Sequence, residues 1–407
     1  MSVKGGIRES KNASRGWDGQ MNTIPANRPE GHAVAPGGGG ILRVGLDGAG
    51  THADWHARVL RKIPGVRLQA VCDLDLSKAS QLRQRWGIPQ AYSSLERMLE
   101  PGDLDVVHVV TPPAFHASGA VQCLEAGCHV FLEKPAGVSV FECEQIESAV
   151  ARSGRRLGVN HNLTFNPAFL GLVRAVQERR LGRIEHVTVC FNTPMRLPSD
   201  GRHWIFQNMG NIVLESGPHP LSMVYRLIGK VRHASTVTSG ETVLANGRTF
   251  YGSWQTSLLA ERGTAQCFLS FGAEHMDLWI HVVGQDGAAF ADLRRNTLRI
   301  SEKSRFLPQI DDLADSLRNG GSICRQGASN LVNYALAFLG WKSPRDTFYS
   351  AMHGSMSAFY GALGMGKDPP IGMEEGRGVI DACEALIRGG ERFVAESGAL
   401  EGHGCIR

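Results

Sequence analysis

No apolar core of a secretory leader stands near the start of the 407 residues, so none is expected. An excess of one charge is missing too. The formal net charge is only +4, and no basic run interleaved with aromatics occurs, which argues against nucleic acid as a partner. Nine cysteines lie scattered, with no Cys-x-x-Cys, and Cys123 and Cys128 have no histidine pair at zinc-finger spacing. No metal site is therefore expected, and buried thiols in a reducing cytoplasm are the simplest reading. The stretch Thr347 to Gly366 lacks formal charge, but Ser350, His353, Ser355, Ser357 and several glycines interrupt it. It reads as buried helix rather than a membrane span. With 42% hydrophobic and 20% charged residues, the chain suits a globular protein of two or three domains.

What is there begins near residue 41. Residues 1–40 are rich in Gly, Asn, Ser and charge and close on Pro36-Gly37-Gly38-Gly39-Gly40, so a disordered tail and linker is expected. Ile41 to Leu46 then reads as a strand, followed by Gly48-Ala49-Gly50-Thr51-His52-Ala53 and a helix from Asp54 to Lys62. In this G-x-G-x-x-A turn, Gly48 allows the tight bend and Gly50 lets the backbone approach a pyrophosphate. Ala53 permits close helix–strand packing, and the helix amino end attracts phosphate. The next strand, Val66 to Cys72, ends at Asp73, 25 residues after Gly48. A carboxylate there accepts both ribose hydroxyls of an adenosine and repels a 2′-phosphate, unless it caps a helix or Asp75 takes the role.

Strands from Leu104 to Val110, Val130 to Leu132 and Leu157 to Asn160 alternate with helices, so residues 41–160 read as a doubly wound parallel sheet. The strand at Val130-Phe131-Leu132 stops in Glu133-Lys134-Pro135, because proline cannot donate to a central ladder. Ligands bind beyond the carboxyl ends of such strands, so Lys134 would point into the ligand crevice. Over 161–395 short strands dominate, from Ile184 to Leu293, before helices return at Leu313. This second domain reads as α+β, built on an open, largely antiparallel sheet, with a C-terminal tail at 396–407. Such a sheet leaves an apolar face, so a homo-oligomer, dimer or tetramer, is expected. Early in this domain Glu215 and His219 stand four apart, where a helix would put both on one face and let the carboxylate orient an imidazole base. Pro218 opposes a regular helix through this point, since it has no N–H to donate.

Together these residues resemble the Gfo/Idh/MocA family of NAD(P)-dependent oxidoreductases. The matches are Val44-Gly45-Leu46 with Gly48-Ala49-Gly50 and His56, then Asp73, then Thr111-Pro112-Pro113 with His116. The most specific is Ala126-Gly127 followed by His129-Val130-Phe131-Leu132-Glu133-Lys134-Pro135, and Leu214 to His219 is similar to the substrate-domain helix. The resemblance implies a Rossmann domain and hydride transfer between NAD, with NADP as the alternative, and a secondary alcohol carbon of a sugar, cyclitol or sugar derivative. Carried over, Lys134 polarises the reacting hydroxyl, His219 takes its proton, and Glu215 stands for the usual acid four before. Gly48, Ala49, Gly50, Thr51, His52, Asp73, Thr111, Pro112, His116, Glu133 and Lys134 form the cofactor set; Asn162 and Trp204 join Lys134 and His219 at the substrate, although Trp204 suits the core equally. The chain departs from the family at Ser222, where Asp is frequent, at Thr164, where Arg is expected, and before Glu215, where only Gly210 remains of several glycines. These departures leave the redox residues in place and the substrate open. A cytoplasmic enzyme is expected. Redox-neutral, NAD-dependent glycoside cleavage and a non-catalytic nucleotide and sugar sensor are the alternatives.

Overall fold

The computed structural model describes residues 40–194, 203–303, 307–339 and 347–402. The tail expected over 1–40, except Gly40, lies outside the described residues.

The first half is built from six strands: β1 (Leu42–Asp47), β2 (Val66–Cys72), β3 (Gln90–Tyr92), β4 (Val106–Val109), β5 (His129–Leu132) and β6 (Leu157–Val159). They are joined through α1 (Thr51–Leu60), α2 (Leu76–Trp86), α3 (Leu95–Leu99), α4 (His116–Glu125) and α5 (Val140–Ser153). All pairings are parallel, in the order β3-β2-β1-β4-β5-β6. That order is the doubly wound Rossmann arrangement, with its reversal between β1 and β4. Strands β4 and β5 are almost wholly buried and apolar except for His108 and His129, as helices on both faces require. Local chemistry sets the helix starts. Asp75 caps α2 by accepting from Ser77 N, which leaves Asp73 free of that task. Ser139 caps α5, and Glu142 reaches back to Val138 N at 2.8 Å, which fixes the chain just after the Glu-Lys-Pro turn.

The second half opens with α6 (Pro167–Gln177), strand β7 (Ile184–Asn192), and the helices α7 (Asn211–Ser216) and α8 (Pro218–Ile228). Strands β8 (Val231–Val243), β9 (Thr249–Ala260), β10 (Gly263–Ser270), β11 (Asp277–Gly284), β12 (Gly287–Asp292) and β13 (Thr297–Glu302) complete a seven-stranded sheet ordered β13-β12-β11-β7-β10-β9-β8. Only β7 and β10 pair in parallel, so the sheet is largely antiparallel, as expected. Two strands escape sequence reading. β3 has three residues, and β13 follows the polar turn Arg294-Arg295-Asn296 that masks its alternation.

The last helices are α9 (Pro308–Phe338), α10 (Thr347–Gly364) and α11 (Met373–Gly402), the last running into the stretch expected as a tail from residue 396. Helix α10 is the charge-free stretch, and it is buried. Tyr349, Met352, Met356, Phe359 and Tyr360 share one core with Val44, Leu46, Val106 and Phe131 of the Rossmann sheet. A helix from the far end of the sequence thus closes one face of the nucleotide-binding domain. No helix among the described residues is long and apolar enough to cross a membrane.

Candidate active site

The carboxyl ends of β1, β2, β4 and β5 bring the expected residues to one edge. Gly48 has φ +108°, and a Cβ there would meet the Val110 carbonyl at 3.0 Å, so the bend requires glycine. Around Gly50 the space is open, and among the described residues no side chain caps the amino end of α1 by a hydrogen bond. Thr51 and His52 form the exposed first turn of that helix. Asp73 accepts from Ala49 N at 2.9 Å through Oδ2 and from Asp75 N at 2.9 Å through Oδ1. Its carboxylate therefore ties the glycine turn to the start of α2, whose side-chain cap is Asp75 and not Asp73. Thr111 follows β4, and its buried Oγ1 has no hydrogen-bond partner among the described residues. An uncovered helix amino end, a fixed carboxylate beside it and an orphaned hydroxyl on the same edge fit a dinucleotide.

Two residues of the expected cofactor set turn inward. His116 places Nδ1 2.7 Å from Pro135 O and Nε2 2.8 Å from Thr111 O, so it ties the β4 end to the Glu-Lys-Pro turn. Burial lowers its pKa, and the two carbonyls oppose that shift. Glu133 accepts from His56 Nε2 at 2.7 Å and from Asn160 Nδ2 at 2.6 Å through Oε1, and from Lys134 N at 3.1 Å through Oε2. Burial would raise its pKa, but the His56 hydrogen bond and nearby positive charge hold it well below the usual carboxylate range. Both residues form the floor under Lys134. Pro112 precedes a short 3-10 turn, Pro113–Phe115, that leads into α4.

Lys134 and Glu215 come together across the two domains. Lys134 Nζ donates to Glu215 Oε1 at 2.6 Å and to the Glu215 carbonyl at 3.1 Å. The lysine side chain is 8% exposed and the glutamate 29%. This corrects the expected Glu215–His219 contact: among the described residues the carboxylate pairs with the lysine instead. The cause lies in the helix break. Pro218 has no N–H to continue α7, so α7 stops at Ser216 and α8 restarts at Pro218. His219, in the first turn of α8, stacks on Phe191 of β7 with ring centres 5.5 Å apart. Burial, and next the charge of Lys134, push its pKa well below the usual histidine value, so the ring is neutral at physiological pH and able to accept a proton. An ammonium with one proton uncommitted therefore stands within electrostatic reach of a neutral imidazole.

The other substrate candidates are placed but less engaged. Asn162 is buried at the head of the 3-10 turn Asn162–Phe165. Trp204 is half-buried against the core, and its carbonyl accepts from Asn211 Nδ2 at 2.7 Å. Thr164 Oγ1 donates to His161 O at 2.7 Å, a local turn contact. Ser222 is buried and donates to His219 O at 2.9 Å. Sequence reading missed Asn160, which grips Glu133 and leaves its own Oδ1 without a partner among the described residues. It also missed His108, although a histidine inside Val106-Val107-His108-Val109-Val110 is itself a signal, since a polar group buried in a strand must find partners.

Fold and edge together define a two-domain dinucleotide-binding architecture. Residues 42–161 match the model of the oxidoreductase family with NAD-binding Rossmann fold, GFO_IDH_MocA. Over that stretch the resemblance read from the motifs is borne out, and the nucleotide-binding domain is that of the Gfo/Idh/MocA oxidoreductases. A glycosyl hydrolase family 109 protein of Shewanella putrefaciens is 26% identical over 229 residues, 52% of this chain and 50% of its own length. The D-apiose dehydrogenase of Paraburkholderia graminis is 27% identical over 194 residues, 48% of this chain and 52% of that one. The chain thus spans about half the length of the curated relatives it matches. Among solved structures, levoglucosan dehydrogenase in complex with NADH has a TM-score of 0.71 at 16% identity, covering 86% of this chain and 97% of that one. The WlbA dehydrogenase of Bordetella pertussis in complex with NADH and UDP-GlcNAcA has a TM-score of 0.67 at 18% identity, covering 87% and 96%. These structures share the fold.

Proposed function

We propose that the protein is an NAD-dependent dehydrogenase acting on a secondary alcohol carbon of a sugar, cyclitol or sugar derivative. The observation that carries this reading is the Lys134–Glu215 pair beside neutral His219, at the edge where Gly48, Gly50 and Asp73 would hold a dinucleotide. When bound, NAD supplies the hydride acceptor; the glycine turn and the α1 amino end would hold its phosphates, and Asp73 its ribose. Lys134 Nζ donates two hydrogen bonds to Glu215, which aims its third N–H at a substrate oxygen. Lys134 Nζ donates to that oxygen and stabilises negative charge as it develops, while a ring nitrogen of His219 takes the hydroxyl proton. Asn162 and Trp204 are proposed as substrate contacts, and the active form as a homo-oligomer in the cytoplasm.

Relatives named glycosyl hydrolase family 109 favour a second reading, glycoside cleavage with no net change in NAD, using the same lysine and histidine. One experiment separates the two. The protein is incubated with NAD and a panel of sugars, cyclitols and sugar nucleotides, with NADH followed by absorbance; a p-nitrophenyl N-acetylgalactosaminide is run alongside. Net NADH supports the dehydrogenase. Released p-nitrophenol without NADH supports the cleavage reading, and silence in both, with NAD bound, supports a sensor.

A further inference from the structure

Behind the Glu-Lys-Pro turn, four buried polar groups form a single file. Tyr360 Oη on α10 lies 2.7 Å from His108 Nε2 on β4. His108 Nδ1 lies 2.8 Å from His56 Nδ1 on α1, and His56 Nε2 lies 2.7 Å from Glu133 Oε1. The two imidazoles are fully buried, and Tyr360 and Glu133 are each 5% exposed. The file ends on the catalytic turn, because Glu133 Oε2 accepts from Lys134 N.

The proton positions follow from what each atom can do. Glu133 as a carboxylate only accepts, so His56 Nε2 carries a hydrogen. The facing Nδ1 atoms must be one donor and one acceptor. Tyr360 settles which: its hydroxyl has no other acceptor among the described residues, so it donates to His108 Nε2, which is therefore a lone pair. A neutral His108 then carries its hydrogen on Nδ1 and donates to His56. Every hydrogen bond runs the same way, from Tyr360 to Glu133, and each strengthens the next in a dry core.

We propose that Tyr360, His108 and His56 are a one-way hydrogen-bond relay that positions Glu133, and through it the backbone of Lys134, for the reaction. Only the kinetic part rests on the dehydrogenase reading. Tyr360 touches neither substrate nor cofactor in this scheme and is a positioning residue, supplied by a helix some 250 residues away in sequence (the separation from His108 is 252).

The test is nitrogen NMR of the histidine rings in the full chain, near neutral pH, with Tyr360→Phe as the variant. In the wild type, His108 should carry its hydrogen on Nδ1 and His56 on Nε2. In Tyr360→Phe the His108 ring signals and the Lys134 amide should shift together. Turnover should fall roughly tenfold, the scale of one buried hydrogen bond, while NAD affinity stays within about twofold. A His108 hydrogen on Nε2, or an imidazolium at His56, overturns the relay without any variant. An unmoved Lys134 amide, or wild-type turnover in Tyr360→Phe, overturns its link to the lysine. If the wild type turns over no substrate, the dehydrogenase reading fails, and the ring and amide signals alone decide the relay.

Discussion

Replacing Lys134 by alanine separates catalysis from binding and stability. The side chain is nearly buried and donates two hydrogen bonds to Glu215, which leaves one N–H for the reacting oxygen. Removing one preorganised donor aimed at developing charge costs on the order of 3–4 kcal/mol of transition-state stabilisation, or roughly a hundredfold to a thousandfold in kcat. The stability effect is smaller. The partner carboxylate is 29% exposed, so the lost pair, discounted for solvent screening, is worth about 1 kcal/mol or less. NAD should still bind, since the glycine turn and Asp73 sit at the ends of β1 and β2. The assay is stopped-flow hydride transfer, with an NAD titration and a thermal melt on the same preparation. Glu215→Gln serves as the graded control: the backbone acceptor at 3.1 Å stays, and kcat should fall roughly tenfold rather than a hundredfold. Near-normal turnover in Lys134→Ala, or loss of NAD binding in parallel with turnover, would refute the reasoning.

His219 must be neutral to take a proton, and its pKa lies below the usual value, so the acid limb of kcat should fall below pH 6.5; Lys134→Ala removes one cause of that depression and should move the limb upward. Asp73→Ser should weaken NAD and narrow its preference over NADP, as measured by paired titrations, and a wild type favouring NADP by roughly tenfold would defeat the Asp73 argument. Burial pushes the Asp47 carboxyl up to about 6, so its protonated form is the one the fold favours, and this contribution is lost as pH rises through that value. Asp47→Asn should therefore gain more stability over the wild type at neutral pH than at pH 4, by up to about 3 kcal/mol in denaturant titrations. The outer sheet face exposes Val237 and Leu259, and light scattering should give an oligomer; a monomeric mass at micromolar concentration speaks against pairing through that face.

The parallel sheet and its ligand edge were legible because their signals are local. Gly48 and Gly50 between strand and helix, Asp73 at the next strand end, and proline after Lys134 each follow from a few neighbouring residues. The second sheet was legible as strands but not as an order, since the parallel pairing of β7 with β10 joins Ile184–Asn192 to Gly263–Ser270. The partner of Glu215 was misread for a related reason. Spacing along one helix suggested His219, but the carboxylate meets a lysine 81 residues earlier, and nothing in the local sequence carries that information. His108 and Tyr360 were missed because their pairing spans the chain, although a histidine inside an apolar strand was a local signal.

The seating of α10 also constrains the order in which the molecule can be made. On the ribosome the strands that will bind the dinucleotide emerge first, while Tyr349, Met352, Phe359 and Tyr360 are still untranslated. Until they arrive, Phe131 and its neighbours lack part of their cover, and His108 lacks its hydroxyl donor. A nascent Rossmann domain in that state exposes apolar surface and a half-satisfied buried histidine, both of which invite association with other chains. The core of the first half is therefore complete only once the last residues are made, and contacts of such sequence separation tend to form slowly. A fragment cut after β6 should accordingly express as an aggregate, and adding residues 347–364 as a separate peptide should recover part of it.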